Sequence, residues 1–66
     1  MTQLQAITAM KKQFPQVSVS ADVTVWDYGT HVSKTFTVYA GTQKRAIARG
    51  EGRTLDEAIE NCKEYN

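Results

Sequence analysis

His31 and Cys62 are the side chains of this sequence whose types most often carry out catalysis or bind a metal ion. A single cysteine cannot form an intramolecular disulfide, and one thiol with one imidazole falls short of the several ligands that a structural zinc site needs. Serine, histidine and aspartate all occur, but none stands in a recognisable nucleophile motif. We therefore predict a non-catalytic protein without a cofactor, a metal ion or a small-molecule substrate. Cys62 is expected to be a small buried residue on a helix face.

The length and composition favour one small globular domain spanning residues 1–66. A chain this short buries only about 60% of its unfolded surface, so a deep enzyme pocket is not expected. Hydrophobic residues make up 41% and charged residues 23% of the chain, which is ordinary for a folded domain. The formal net charge of +1 supplies no long-range field of the kind expected in a protein devoted to nucleic acid.

The sequence carries no sign of a membrane span or a secretion signal. No apolar stretch approaches 18 residues, and residues 2–14 alternate polar and apolar groups. Together with the single cysteine, this indicates a reducing compartment, and we expect a cytoplasmic protein without a membrane partner.

Two capping boxes predict two helices, one near each end of the chain. Thr2 to Gln5 begins the first helix, which Pro15 stops, and Thr54 to Glu57 begins the second. Each helix has an apolar stripe at steps of three and four residues. The first stripe contains Leu4, Ile7, Met10, Lys11 and Phe14, and the second contains Leu55, Ala58, Ile59, Cys62 and Tyr65.

Alternating apolar and polar residues predict three strands between the helices. In the first strand, every second residue is apolar, which predicts one buried face made of Val17, Val19, Ala21, Val23 and Val25. They cover residues 17–26, 34–40 and about 44–50, and turn residues separate them at 27–30 and 41–42. The order is αβββα. We predict an α+β fold in which a three-stranded antiparallel meander carries both helices on the same face.

The register of the third strand decides which of its residues face the core. A two-residue loop before it would turn Arg45, Ile47 and Arg49 inward, whereas a three-residue loop turns Ala46 and Ala48 inward. Burying two unpaired arginines costs far more than exposing one isoleucine, which costs roughly 1.5 to 3 kcal/mol. The sequence therefore predicts that Ala46 and Ala48 lie inside.

Three segments together resemble the double-stranded RNA-binding domain family, across most of the chain. They are GTHVSKTF (29–36), TVYAG (37–41) and ARGEGRTLDEAIENC (48–62). The residues that match the family's pattern are the turn residues Gly29 and His31, the core aromatic Phe36, the glycine pair Gly50 and Gly52, the cap Thr54 and the helix-packing Ala58. The resemblance implies the αβββα fold. It also implies that duplex RNA is bound by the first helix, by the loop that contains His31 and by the start of the second helix.

The lysines with which that family clamps phosphate at its second helix are missing here. Leu55, Asp56 and Ile59 take their places, and Glu57 stands among them. Losing three phosphate contacts would reduce the salt dependence of binding by roughly 2.7 log units per log of salt. The acids also occupy the end of the helix that a phosphate would approach. We therefore interpret residues 49–62 chiefly as a structural corner between a strand and a helix.

The face of the sheet away from the helices is the second candidate site. Its composition combines aromatic residues with arginine, as binding hot spots do, although such residues also suit an exposed strand for purely structural reasons. The predicted partner-binding residues are Trp26, Tyr28, Tyr39, Arg45, Ile47 and Arg49.

Two functions remain open on the sequence alone. We favour a protein-interaction or inhibitor module that acts through the open sheet face, of the small kind often encoded by phages, or a homodimer closed through that face. The alternative is binding of double-stranded RNA or another nucleic acid. That alternative would use Gln3, Gln5 and Thr8 on the first helix, His31 and Lys34 in the loop, and Arg53 before the second helix.

Overall fold

The computed structural model describes residues 1–42 and 44–64. These residues form one antiparallel sheet with strand order β1-β2-β3-β4, together with two helices. The α+β class is confirmed, but the described sheet has four strands rather than the predicted three. The elements are α1 Gln3–Gln13, β1 Val19–Asp27, β2 Val32–Gly41, β3 Ala46–Gly52, α2 Leu55–Glu60 and β4 Lys63–Glu64.

Helix α1 begins at the predicted capping box. The Thr2 hydroxyl accepts a hydrogen bond from the Gln5 amide at 3.1 Å, and the Gln5 side chain accepts one from the Thr2 amide at 2.8 Å. The predicted apolar stripe is confirmed at Ile7, Met10 and Phe14, which lie in or against the core, whereas the prediction is wrong for Leu4, which is 74% exposed. The Gln3 amide group donates to the carbonyl of Ala21 at 3.1 Å, which fixes the helix with Leu4 outside the core.

Helix α2 begins at the predicted cap but is shorter than predicted. The Thr54 hydroxyl accepts from the Glu57 amide, and the helix ends at Glu60. The chain then reverses and pairs as β4 with Ala48 and Arg49. The prediction that the helix continues through Cys62 is therefore wrong, and Tyr65 lies outside the described residues.

The edge of β3 explains why α2 ends early. The Asn61 side chain donates to the carbonyl of Glu51 at 2.9 Å and ties the end of the helix to that strand. The exposed edge of a strand carries unpaired backbone groups, which a following segment can satisfy by adding a strand. Two residues of β4 do so here, at the position where a longer helix would have left the edge open.

The predicted register of β3 is confirmed at Ala48, which faces the core. Ala48 lies opposite Ala40, and both are fully buried. Arg49 lies on the other face, opposite Tyr39. Ala46 is half-buried beside an irregularity at Gly41. The register thus follows the choice that keeps the arginine out of the core.

The core lies between one face of the sheet and both helices. It consists largely of alanines, which let the helices approach the sheet closely, and Met10 and Val38 are its largest fully buried side chains. Because residues of α1 and of α2 belong to the same cluster, the two helices lie on the same face. The core residues are Ala6, Met10, Ala21, Val38, Ala40, Ala48, Leu55 and Ala58.

The β1–β2 hairpin projects beyond the helices. From Asp22 to Asp27 every residue of β1 is exposed, and Val23 and Val25 are 43% and 57% exposed. The sequence pattern predicted that these valines would be buried, and that prediction is wrong because the first turn of α1 reaches only as far as Ala21. Past Phe36 the sheet has only the two strands of this hairpin, and the described residues extend over 42 × 24 × 15 Å.

Candidate functional site

The end of the hairpin carries three ring-bearing side chains, which we call the aromatic tip: Trp26, Tyr28 and His31. Trp26 lies opposite Ser33 on the face away from the helices and is 52% exposed. Tyr28 is 59% exposed, and its ring stacks on that of His31 with 4.9 Å between the ring centroids and 23° between the planes. The tip thus presents the exposed Trp26 ring and the stacked pair of Tyr28 and His31 at the same end of the hairpin.

Local hydrogen bonds shape the turn that holds the aromatic tip. The Tyr28 amide donates to the His31 carbonyl at 3.0 Å, and a carboxylate oxygen of Asp27 accepts from the Gly29 amide at 2.8 Å. Gly29 has a φ of 86°, which few other residues adopt without strain. The imidazole Nδ1 of His31 lies 3.2 Å from the hydroxyl of Thr30. These contacts orient the two stacked rings before any partner arrives.

The part of the open face near the helices has a different character. Arg49 makes an ion pair with Glu51 at 2.5 Å, and its guanidinium carbon lies 5.9 Å from the centre of the Tyr39 ring. Tyr39 and Glu51 raise the pKa of Arg49 above its ordinary value. The arginine is therefore already engaged with neighbours of its own sheet, and its availability to an external anion is reduced.

The structure separates the six predicted partner-binding residues into two groups. Tyr39 lies opposite Ser20, and Trp26 stands six residues further along β1, which corresponds to about 20 Å of strand. Ile47, 45% exposed, belongs to the group near the helices. Arg45 is not on the sheet face at all, because it precedes β3 in a turn where its amide donates to Thr42. Of the six residues, only Trp26 and Tyr28 lie at the end of the hairpin, together with His31.

The three α1 side chains of the nucleic-acid alternative are all hydrogen-bonded within the protein. Gln3 donates to the Ala21 carbonyl, Gln5 completes the capping box with Thr2, and the Thr8 hydroxyl donates to the Leu4 carbonyl at 3.0 Å. A ligand would have to break or share these contacts. The sequence predicted the contact of Gln5 but not that of Gln3, because it does not show which strand the helix meets.

The remaining residues of the nucleic-acid alternative do not gather on one surface. His31 stacks on Tyr28 in the turn at the end of the hairpin, whereas Lys34 lies opposite Val25 on the helix side of the hairpin. Arg53 is exposed directly before α2. The first turn of that helix carries Asp56 and Glu57, whose charges repel a phosphate.

The described residues hold little that resembles a reaction centre. Within residues 1–42 and 44–64 there is no surface pocket, and no cluster of three or more histidine, cysteine, aspartate or glutamate side chains. Burial raises the pKa of the Cys62 thiol, as does the nearby charge of Glu64. A raised pKa lowers the thiolate fraction and so the reactivity of this cysteine.

No family model, curated protein or solved structure matches the chain. In the part of the chain described, none of the helices is long and apolar enough to cross a membrane. The function of the aromatic tip is therefore inferred from the positions of its own residues, because no similar protein indicates it.

Proposed function

We propose that this protein is a non-catalytic protein-binding module and that its projecting hairpin is the binding element. Trp26 and Tyr28 act as the anchors, and the stacked His31 supports the second of them. The element order from α1 to α2 is that of the double-stranded RNA-binding domain family. We propose that this chain uses the same order of elements to bind a protein, without the lysines that clamp phosphate in that family.

The observation that supports the proposal best is the exposure of Trp26 and Tyr28 on a two-stranded extension. An isolated two-stranded hairpin is marginally stable in water. The projecting part of this hairpin therefore adds nothing to the stability of the domain's core. Exposed aromatic residues on a rigid turn are typical of interface anchors, since they bring a large contact area at little cost in conformational entropy. A protein surface with an apolar pocket for the Trp26 ring fits this end of the molecule.

The charge distribution disfavours nucleic acid as the main partner. Asp22 and Glu51 both face the open side, in the same row as Thr37, and Asp56 and Glu57 begin α2. The net charge of the whole chain is only +1. Tight binding to a duplex would require several lysines or arginines on one surface.

The first test identifies the partner and then measures the contribution of the tryptophan. A photoreactive phenylalanine analogue at position 26 captures the bound protein in cells, and the captured protein is then purified and titrated. We expect Trp26→Ala to weaken its binding about 30-fold, which is the effect of a hot-spot residue. Ile47→Ala, a change at a similarly exposed residue of the same face, is the matched control and should change affinity less than about threefold. Equal losses for the two variants would contradict the proposal.

Titration with a duplex RNA distinguishes nucleic-acid binding, the alternative function, from the proposed protein binding. At two salt concentrations we expect weak binding with a shallow salt dependence, because few phosphates can be neutralised. Fluorescence anisotropy with a labelled duplex measures this directly. Tight and steeply salt-dependent binding that is lost in both His31→Ala and Arg53→Ala would favour the nucleic-acid function instead.

A further inference from the structure

The outer edge of β1 has no neighbouring strand among the described residues. Two backbone bonds show which residues face it, namely Gly41 N to Ser18 O at 2.6 Å and Tyr28 N to His31 O at 3.0 Å. In an antiparallel pair, bonded and non-bonded residues alternate, so the even-numbered residues of β1 bond to β2. The odd-numbered residues turn their N–H and C=O groups outward: Val19, Ala21, Val23, Val25 and Asp27.

One half of this edge is covered and the other half is bare. The Gln3 side chain donates to the outward carbonyl of Ala21 at 3.1 Å and so occupies the edge beside α1. From Val23 to Asp27 no such contact occurs in the described residues. Strand β1 also contains no proline and no lysine, the residues that most often protect an exposed edge.

We propose that this bare edge pairs antiparallel with the same edge of a second copy of the chain. The two-fold axis passes Val25, so that Val25 lies opposite Val25 of the other copy and Val23 lies opposite Asp27. The two four-stranded sheets then join into one continuous sheet of eight strands. About six backbone hydrogen bonds form, which satisfy every outward group from Val23 to Asp27. This inference does not depend on the proposed function.

The hydrogen-bonding groups select this register over its neighbours. An axis at Val23 or Thr24 would need the Ala21 carbonyl, which Gln3 already occupies. An axis at Asp27 would place two carboxylates side by side, and an axis at Trp26 would need the Gly29 amide that Asp27 holds. The axis at Val25 avoids all of these conflicts.

Side chains on both faces fit a second copy in this register. On the open face Asp22 lies opposite Tyr28 of the other copy, whose hydroxyl can donate to the carboxylate, and Thr24 lies beside Trp26. On the helix side Val25, 57% exposed, lies opposite Val25 of the other copy and diagonally beside its Val23, so the exposed valines of the two β1 strands adjoin. Because α1 covers β1 only as far as Ala21, the two α1 helices stay at opposite ends. The partner is thus the same chain rather than an unrelated strand.

The first experiment measures self-association of the whole chain by sedimentation equilibrium. We expect a dimer within concentrations of up to about 1 mM, and we expect Val25→Pro to weaken it by about 30-fold or more, because two intermolecular bonds are lost. The Val25 amide is not used within the monomer, so circular dichroism should show an intact fold. A wild-type chain that stays monomeric over this range overturns the proposal.

The second experiment tests the register without relying on Val25→Pro to fold. In a Cys62→Ser background, Val25→Cys should form a dimer linked by a disulfide under copper phenanthroline, since directly opposed Cα atoms lie about 5.5 Å apart. Thr24→Cys is the matched control, and its two copies would lie about 8 Å apart on the diagonal, too far for a disulfide. Equal or reversed yields of the two variants overturn the proposed register.

Tyr39→Ala distinguishes pairing through the β1 edge from pairing through the open face. Tyr39 lies on the open face opposite Ser20, outside the paired segment from Val23 to Asp27, so pairing through the edge predicts a dimer constant within about threefold of the wild-type value. A dimer that survives Val25→Pro but is lost in Tyr39→Ala would mean that the copies meet through the open face, and the edge proposal would be wrong. Binding of the captured protein partner is measured separately and does not affect this result.

Discussion

Gly50→Ala is expected to lower the free energy of unfolding by about 3 kcal/mol or more. A Cβ atom at this position would collide with the carbonyl oxygen of Ala58 and would lie 2.6 Å from the Cys62 nitrogen and 2.7 Å from its Cα atom. All three are backbone atoms, so no rotation of a side chain can relieve the contact. Helix α2 would have to move away from β3, and the core between them would open. Urea denaturation followed by circular dichroism measures the loss.

Gly29→Ala is the matched control for this substitution. Gly29 has a positive φ but no atom within 4 Å of an added Cβ, so only the backbone conformation is strained. We expect a loss of about 1 kcal/mol. Should Gly50→Ala cost no more than Gly29→Ala, the close approach of α2 to β3 would be refuted.

Met10→Ala is expected to lower the free energy of unfolding by about 2 to 5 kcal/mol. Met10 is fully buried and, with Val38, is the largest such side chain in a core made mostly of alanines. Few neighbours are large enough to fill the space that it would leave. The measurement is again chemical denaturation, with the slope compared between variants to detect a change in the unfolded state.

Leu4→Ala is the control on the same helix. The sequence pattern places Leu4 and Met10 on one apolar stripe and would give both substitutions a similar cost. The structure leaves Leu4 74% exposed, so we expect its replacement to change stability by less than about 0.5 kcal/mol. Similar losses for the two variants would support the stripe and contradict the observed orientation of α1.

Local rules predicted the start of each helix and the register of β3. Thr2 and Thr54 form caps as predicted, because a hydroxyl in that position satisfies an amide of its own first turn whatever else the chain does. The placement of Arg49 outside the core followed from the cost of burying its charge. Such preferences need no information about distant contacts.

Contacts between distant segments decided where α2 ends and why Leu4 lies outside the core. Asn61 bonds to Glu51, ten residues before it, and β4 adds to the edge of β3. Gln3 bonds to Ala21, eighteen residues after it, and this contact leaves Leu4 outside. Neither hydrogen bond can be predicted from periodicity, because periodicity indicates only which side of a helix or strand is apolar.

The class of fold, the helix caps and the turn at Gly29 follow from local residue patterns. The extension of the hairpin past the helices, which exposes Val23, Val25 and the outer edge of β1, depends instead on how the elements pack together. The physical reason is length: a strand rises about 3.3 Å per residue and a helix only 1.5 Å, so the eleven residues of α1 cannot cover the whole of the hairpin. The alternation of apolar and polar residues is the same in a strand that a helix covers and in a strand that faces solvent.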